Sequence, residues 1–142
     1  MVFKNMLILI YQFDRGIFSM ESFTCGHYDD SNVFARILRG ELACRKIIEN
    51  DVALAFHDAF PRAPIHCLII PKGPYIQADA FFSKASTAEI AGFCSLLGEL
   101  PALLGVQNAG YRLISNAGAD SGQEVPHFHM HLLAGKPLGA MA

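Results

Sequence analysis

The run His127-Phe128-His129-Met130-His131-Leu132-Leu133 places three of the chain's six histidines on alternate positions. Such alternation has one economical backbone. On a strand, side chains two apart share a face and stand about 7 Å from each other. His127, His129 and His131 then line one side, while Phe128, Met130 and Leu132 turn into a core. On a helix the same imidazoles would scatter around the axis. The bland alternative is a solvated polar face, but each buried ring would bring two nitrogens that need partners. Two chemistries use such a row. A metal ion can take two imidazoles from a His-x-His pair, yet it needs a further ligand, and none follows in the strand. Phosphoryl or nucleotidyl chemistry instead uses a neutral imidazole as nucleophile near pH 7, with its neighbours donating to phosphate oxygens. The preceding loop, "SGQEVP", offers Gly122 and a series of backbone N–H groups, which suits an anion.

The remaining sequence sets limits. A chain of 142 residues forms one domain with a real core. A formal charge of −2 with no basic excess argues against a nucleic-acid surface. Cys25, Cys44, Cys67 and Cys94 form no C-x-x-C pair. Cys67 and Cys94 lie in apolar runs and read as small core residues. Cys25 and His27 form a C-x-H pair that would need two more ligands to hold a metal. The cysteine pattern suits a reduced, cytoplasmic protein. Near the start, "MLILIY" mimics a signal peptide. It is interrupted by Gln12, Asp14 and Arg15, no small-residue cleavage site follows, and it is too short to span a membrane. Residues 1–31 are expected to be an N-terminal extension, of which 1–19 precede a natural second start at Met20. If ordered, "MLILIYQF" would add a strand.

Val33, Phe34, Ile37 and Leu38 repeat at helical spacing, with Ser31 or Asn32 as cap and Gly40 as stop. "KIIEN" and "VALAFHD" read as a hairpin joined at Asn50-Asp51. "IHCLIIP" is a short strand, "KGPYIQADAFF" a loop, and "STAEIAGFCSLLGELPALLG" a helix capped by Ser86 or Thr87. Pro101 is expected to kink that helix or split off its last turn. "GYRLISNAG" and "HFHMHLLAG" are the last two strands. The pattern is α+β with a mainly antiparallel sheet.

"GQEVPHFHMHLLAG" resembles the signature of the histidine triad (HIT) family, His-φ-His-φ-His-φ-φ with φ apolar. "VFARILRGEL", "LAFHDAFPRAPIHCLIIPK" and "GYRLISNAG" support it in the family's order, and "GQEVPHFHMHLLAGKPLG" looks most like the Hint branch. The resemblance covers residues 32–142. It implies a five-stranded, mainly antiparallel sheet with two helices, extended to ten strands across a homodimer that uses the long helix and a sheet edge. His131 stands where the nucleotidyltransferase branch has glutamine, which implies a hydrolase.

The resemblance also implies roles. His129 matches the nucleophile that attacks the α-phosphorus of a nucleoside 5′-phosphoramidate, and His127 and His131 match flanking phosphate and leaving-group contacts. His66 matches a supporting histidine on the adjacent strand. Asn116 matches a phosphate-side donor and Asp58 the carboxylate that holds the ribose. Phe34, Ile37, Leu42 and Ala59 match the base pocket, and Gly122, Gln123, Glu124 and Val125 the phosphate loop. Glu124 stands where some members have a serine that contacts the leaving group. His57 should point to the opposite face. The implied reaction passes through a nucleotidyl-histidine and releases a purine nucleoside monophosphate, AMP or GMP, with no metal or other cofactor and no membrane or nucleic-acid partner. Rival readings are a dinucleoside polyphosphate hydrolase, a nucleotide-binding adaptor with incidental hydrolysis, and a metal-dependent hydrolase.

Overall fold

Asn32 starts the first helix of the computed structural model, which describes residues 27–141. The Asn32 side-chain oxygen accepts from the N–H groups of Phe34 and Ala35, both at 3.0 Å. That satisfies two of the donors a helix start leaves open. Helix α1, Val33–Leu38, follows, and Gly40 at φ 76° turns the chain out of it. Strands β1, Lys46–Glu49, and β2, Ala53–His57, form the expected hairpin. Its turn is held by Asn50, whose Oδ1 accepts from the N–H groups of Val52 and Ala53. Strand β3 is Ile65–Pro71, helix α2 Ala78–Lys84, helix α3 Thr87–Leu103, strand β4 Tyr111–Ile114 and strand β5 Met130–Ala134. The strands form one sheet in the order β1-β2-β3-β5-β4, and every neighbouring pair is antiparallel.

The sheet is covered on both faces. Cys67 and Ile69 of β3 and Leu132 of β5 face a core with Phe93, Leu96 and Leu100 of α3. Leu68 and Ile70 face the other way, towards Phe34 of α1, Leu54, Phe56 and Val125. Double coverage explains why β3 reads as an almost unbroken apolar run. Cys67 is fully buried as expected, and burial, with the nearby Asp58 charge, pushes its thiol up to about 11.

Four expectations need correction. The segment taken as loop contains α2, so the described residues hold three helices. This helix has no side-chain cap. It forms around Phe81, which is fully buried, stacked on Phe128 at 5.0 Å and tilted against Phe93 at 5.0 Å. Pro101 does not split off the last turn of α3, which runs through it as one helix of 17 residues. Only two helical residues follow the proline, which is itself buried. Cys94 is exposed, one position past the buried Phe93 and so on the outer side of α3. The last strand starts at Met130, not His127. Its partner β3 ends at Pro71, which has no N–H to continue the ladder. The Phe128 N–H donates instead to the Tyr75 carbonyl at 2.6 Å. The alternation survives where it matters, because Phe128 and Leu132 enter the α3-side core. The possible strand in "MLILIYQF" and Cys25 of the C-x-H pair lie outside the described residues.

Candidate active site

A cleft of about 270 Å³ opens on the α1 side of the sheet. His66 and Leu68 reach it from β3, His131 and Leu133 from β5, and Ile114 from β4. The register makes them neighbours, since His131 pairs with both Leu68 and Ile114. Phe34 of α1 forms one wall, its ring edge-on to His129 with centroids 5.1 Å apart. Asp58, Phe60 and Arg62 come from the turn after β2, and Asn116, Gly122, Glu124 and Val125 from the segment between β4 and β5.

The hydrogen bonds fix the state of each imidazole. A carbonyl oxygen can only accept, so the 2.7 Å contact between His129 Nδ1 and the His127 carbonyl puts the proton on Nδ1. Burial holds the His129 ring below the ordinary histidine range, against the opposing pull of that bond and of Asp58 and Glu124. A neutral His129 therefore keeps a lone pair on Nε2.

His66 is fixed in the opposite tautomer. The Arg62 backbone N–H donates to its Nδ1 at 3.1 Å, which leaves the proton on Nε2. That N–H donates to His131 Nδ1 at 2.9 Å and lies 3.3 Å from Asp58 Oδ2. His131 is pushed down to about 3, first by burial and then by the surrounding His129, His66 and Arg62. Neutral, with Nδ1 accepting, it carries its proton on Nε2, a donor for whatever fills the cleft. Asp58 Oδ1 also accepts from the Phe60 N–H at 2.8 Å.

Asp58, His66 and His131 bring potential metal-ligand atoms within 4.8 Å of one another. The tautomers do not suit an ion. His66 Nε2 carries the proton and His131 Nδ1 receives it, so neither offers a free lone pair there.

His127 lies behind this arrangement, fully buried. Its Nε2–H donates to the Pro71 carbonyl at 2.9 Å and its Nδ1 meets the Tyr28 hydroxyl. Burial pushes it down to about 4, so it too is neutral.

The sequence profile of the HIT domain matches residues 39–138. The chain belongs to the HIT family. It is 54% identical over 114 residues to an uncharacterised 13.2 kDa HIT-like protein of Azospirillum brasilense, covering 80% of this chain and 93% of that one. A HIT family hydrolase from Legionella pneumophila superposes with a TM-score of 0.70 at 34% identity, covering 75% of this chain and 95% of the other. A histidine triad nucleotide-binding protein from Candida albicans superposes at 0.65 with 25% identity, covering 78% and 86%.

Of the residues singled out from the sequence, this HIT chain brings His129, His131, His66, Asp58, Asn116, Phe34, Gly122, Glu124 and Val125 to the cleft. It does not bring His127, Ile37, Leu42, Ala59 or Gln123 there. Ile37 and Leu42 pack in the core beneath α1. Ala59 is exposed. Gln123 is buried as a brace: its Oε1 accepts from the Gly118 N–H, and its Nε2 donates to the Ile76 and Val125 carbonyls. His57 pairs with Cys67 across β2 and β3, away from the cleft as expected. Phe60, Arg62, Ile114 and Leu133 line the cleft without having been singled out. Alternation from His66 and His131 would have pointed to Leu133. Arg62 carries no signal beyond lying four residues before His66. Ser115, whose hydroxyl donates to the His129 carbonyl at 3.1 Å, was also missed.

Proposed function

We propose that this HIT protein hydrolyses the P–N bond of purine nucleoside 5′-phosphoramidates. The observation that carries the reading is the His129 ring, neutral, with Nδ1–H tied to the His127 carbonyl and Nε2 unprotonated, in a cleft that also gathers Asp58, Asn116 and His131. The relatives include an uncharacterised HIT-like protein, a HIT family hydrolase and a nucleotide-binding protein, which supports the coarser reading of a hydrolase that takes a nucleotide.

In the proposed reaction His129 Nε2 attacks the α-phosphorus. A P–N bond to histidine forms as the P–N bond to the amine breaks, and the amine leaves with a proton taken from water at the open mouth of the cleft. The His131 Nε2–H donates to a phosphate oxygen where negative charge gathers. Water then cleaves the nucleotidyl-histidine, giving its proton to the hydroxide left by the first step, and releases AMP or GMP with His129 restored. Asp58 holds the ribose, Phe34 and Val125 flank the base, and Asn116, Gly122 and Glu124 border the phosphate. His66 orients His131. His127 acts through its carbonyl and not by touching phosphate. No step calls for a metal. Residues 32–142 hold the cleft, and the proposed place of action is the cytoplasm. No described helix is long and apolar enough to cross a membrane.

The protein is further proposed to work as a homodimer. Tyr111 and Leu113 on the edge strand β4 and Leu103 on α3 are exposed apolar groups that a second copy would cover.

The direct test is a panel of adenosine and guanosine phosphoramidates beside diadenosine polyphosphates, with product identification. Nucleoside monophosphate and free amine from the phosphoramidates are the expected products. Faster turnover of the dinucleoside polyphosphates would replace this reading with the rival one.

A further inference from the structure

We infer that Tyr28 is a positioning residue for His129, acting through His127. Tyr28 lies before the residues that match the family profile and before the region of sequence resemblance. Its hydroxyl nevertheless reaches His127 Nδ1, 99 positions along the chain.

The direction of each bond in this network is forced. The Pro71 carbonyl accepts from His127 Nε2–H. A neutral ring protonated on Nε2 can only accept at Nδ1, so the Tyr28 hydroxyl donates there. The Tyr28 oxygen in turn accepts from Asn32 Nδ2 at 3.0 Å. The other end of the Asn32 amide caps α1. Helix α1 carries Phe34, whose ring lies edge-on to both His127 and His129. One chain of hydrogen bonds therefore links the cap of the cleft-wall helix to the ring of His127. The backbone carbonyl of that same residue sets the tautomer of His129.

Removing the Tyr28 hydroxyl leaves a fully buried Nδ1 without a partner, a costly defect that the ring escapes by rotating or admitting water. Either response moves the His127 carbonyl. His129 then loses its single tautomer and the fixed aim of Nε2. The catalytic consequence rests on the nucleophile reading above, but the structural link does not.

The experiment uses the full chain without substrate, with histidine rings labelled with nitrogen-15. In the wild type, His129 should show one tautomer, protonated on Nδ1, and His127 a hydrogen-bonded, unprotonated Nδ1. In Tyr28→Phe the His127 Nδ1 signal should move towards the unbonded position, and His129 should shift to a tautomer mixture. Asn32→Asp gives a second variant: the carboxylate still caps α1 but takes the Tyr28 hydroxyl proton away from His127, and the same signature is expected. Unchanged His129 signals in both folded variants would overturn the inference. With a phosphoramidate substrate, Tyr28→Phe should lower kcat about tenfold, as for loss of one aligned hydrogen bond, with KM within about twofold. A loss confined to KM would contradict positioning. A wild type that turns over no phosphoramidate would defeat the proposed reaction and leave the nuclear magnetic resonance result to decide the role of Tyr28.

Discussion

His129 Nδ1–H donates to the backbone carbonyl of His127 at 2.7 Å. The bond is local, between residues two apart, yet it decides which nitrogen of His129 can act. The flanking imidazoles are settled by contacts from far along the chain: His131 by His66, and His127 by Pro71 and Tyr28.

Stability should fall as the medium is acidified, and the histidines set the window. His127 and His131 stay neutral in the folded chain down to about 4 and about 3. In the unfolded chain both titrate near about 6.5. Between about pH 6.5 and 4 the unfolded state binds more protons, so acid favours unfolding. The melting temperature should drop from pH 7 to pH 4.5, and His131→Asn should show a shallower drop. A flat profile over that range would refute the assignment of buried neutral rings.

Asp58→Ala should raise KM about tenfold while lowering kcat less, because a ribose contact serves ground state and transition state alike. Steady-state kinetics would show it, and a 2′,3′-dideoxy substrate on the wild type should mimic it. The Asp58 carboxylate also meets His66 at 3.3 Å. If kcat falls more than KM rises, that contact and not the ribose is its main role.

Strong chelators should leave turnover unchanged. The reason lies in tautomers: the Arg62 N–H holds the proton of His66 on the nitrogen that faces Asp58 and His131. Loss of activity on dialysis against chelator, restored by zinc, would contradict this.

A chain beginning at Met20 should keep its turnover, since every described site contact lies at Tyr28 or beyond. A chain beginning at Val33 should not, because it lacks Tyr28 and the Asn32 cap. Equal activity of the two would contradict the role given to the first described residues.

Local chemistry made much of the fold legible. The Asn32 cap, the Asn50 turn and the Ser86 cap of α3 each depend on residues within a few positions. Alternation in the histidine run put Phe128 and Leu132 on the core side, as found. What stayed hidden depends on distant partners. Helix α2 exists because Phe81 stacks on Phe128, and the last strand is cut short because its partner ends in proline. The alternation suggested that all three imidazoles face one ligand, His129 as nucleophile with His127 and His131 flanking it. The structure separates them, with His129 and His131 at the cleft and His127 sealed behind by Tyr28 and Pro71.

The covalent role of His129 is the centre of the account, and direct attack by water would give the same products. Rapid acid-free quench of the wild-type protein during turnover of an adenosine phosphoramidate, followed by peptide mapping, separates the two. One adenylyl group per active site, acid-labile and carried on His129, is the predicted result. His129→Ala should trap none and keep less than about a hundredth of wild-type turnover while still binding AMP. An adduct on His127, His131 or His66, or substantial turnover by the variant, would contradict the account.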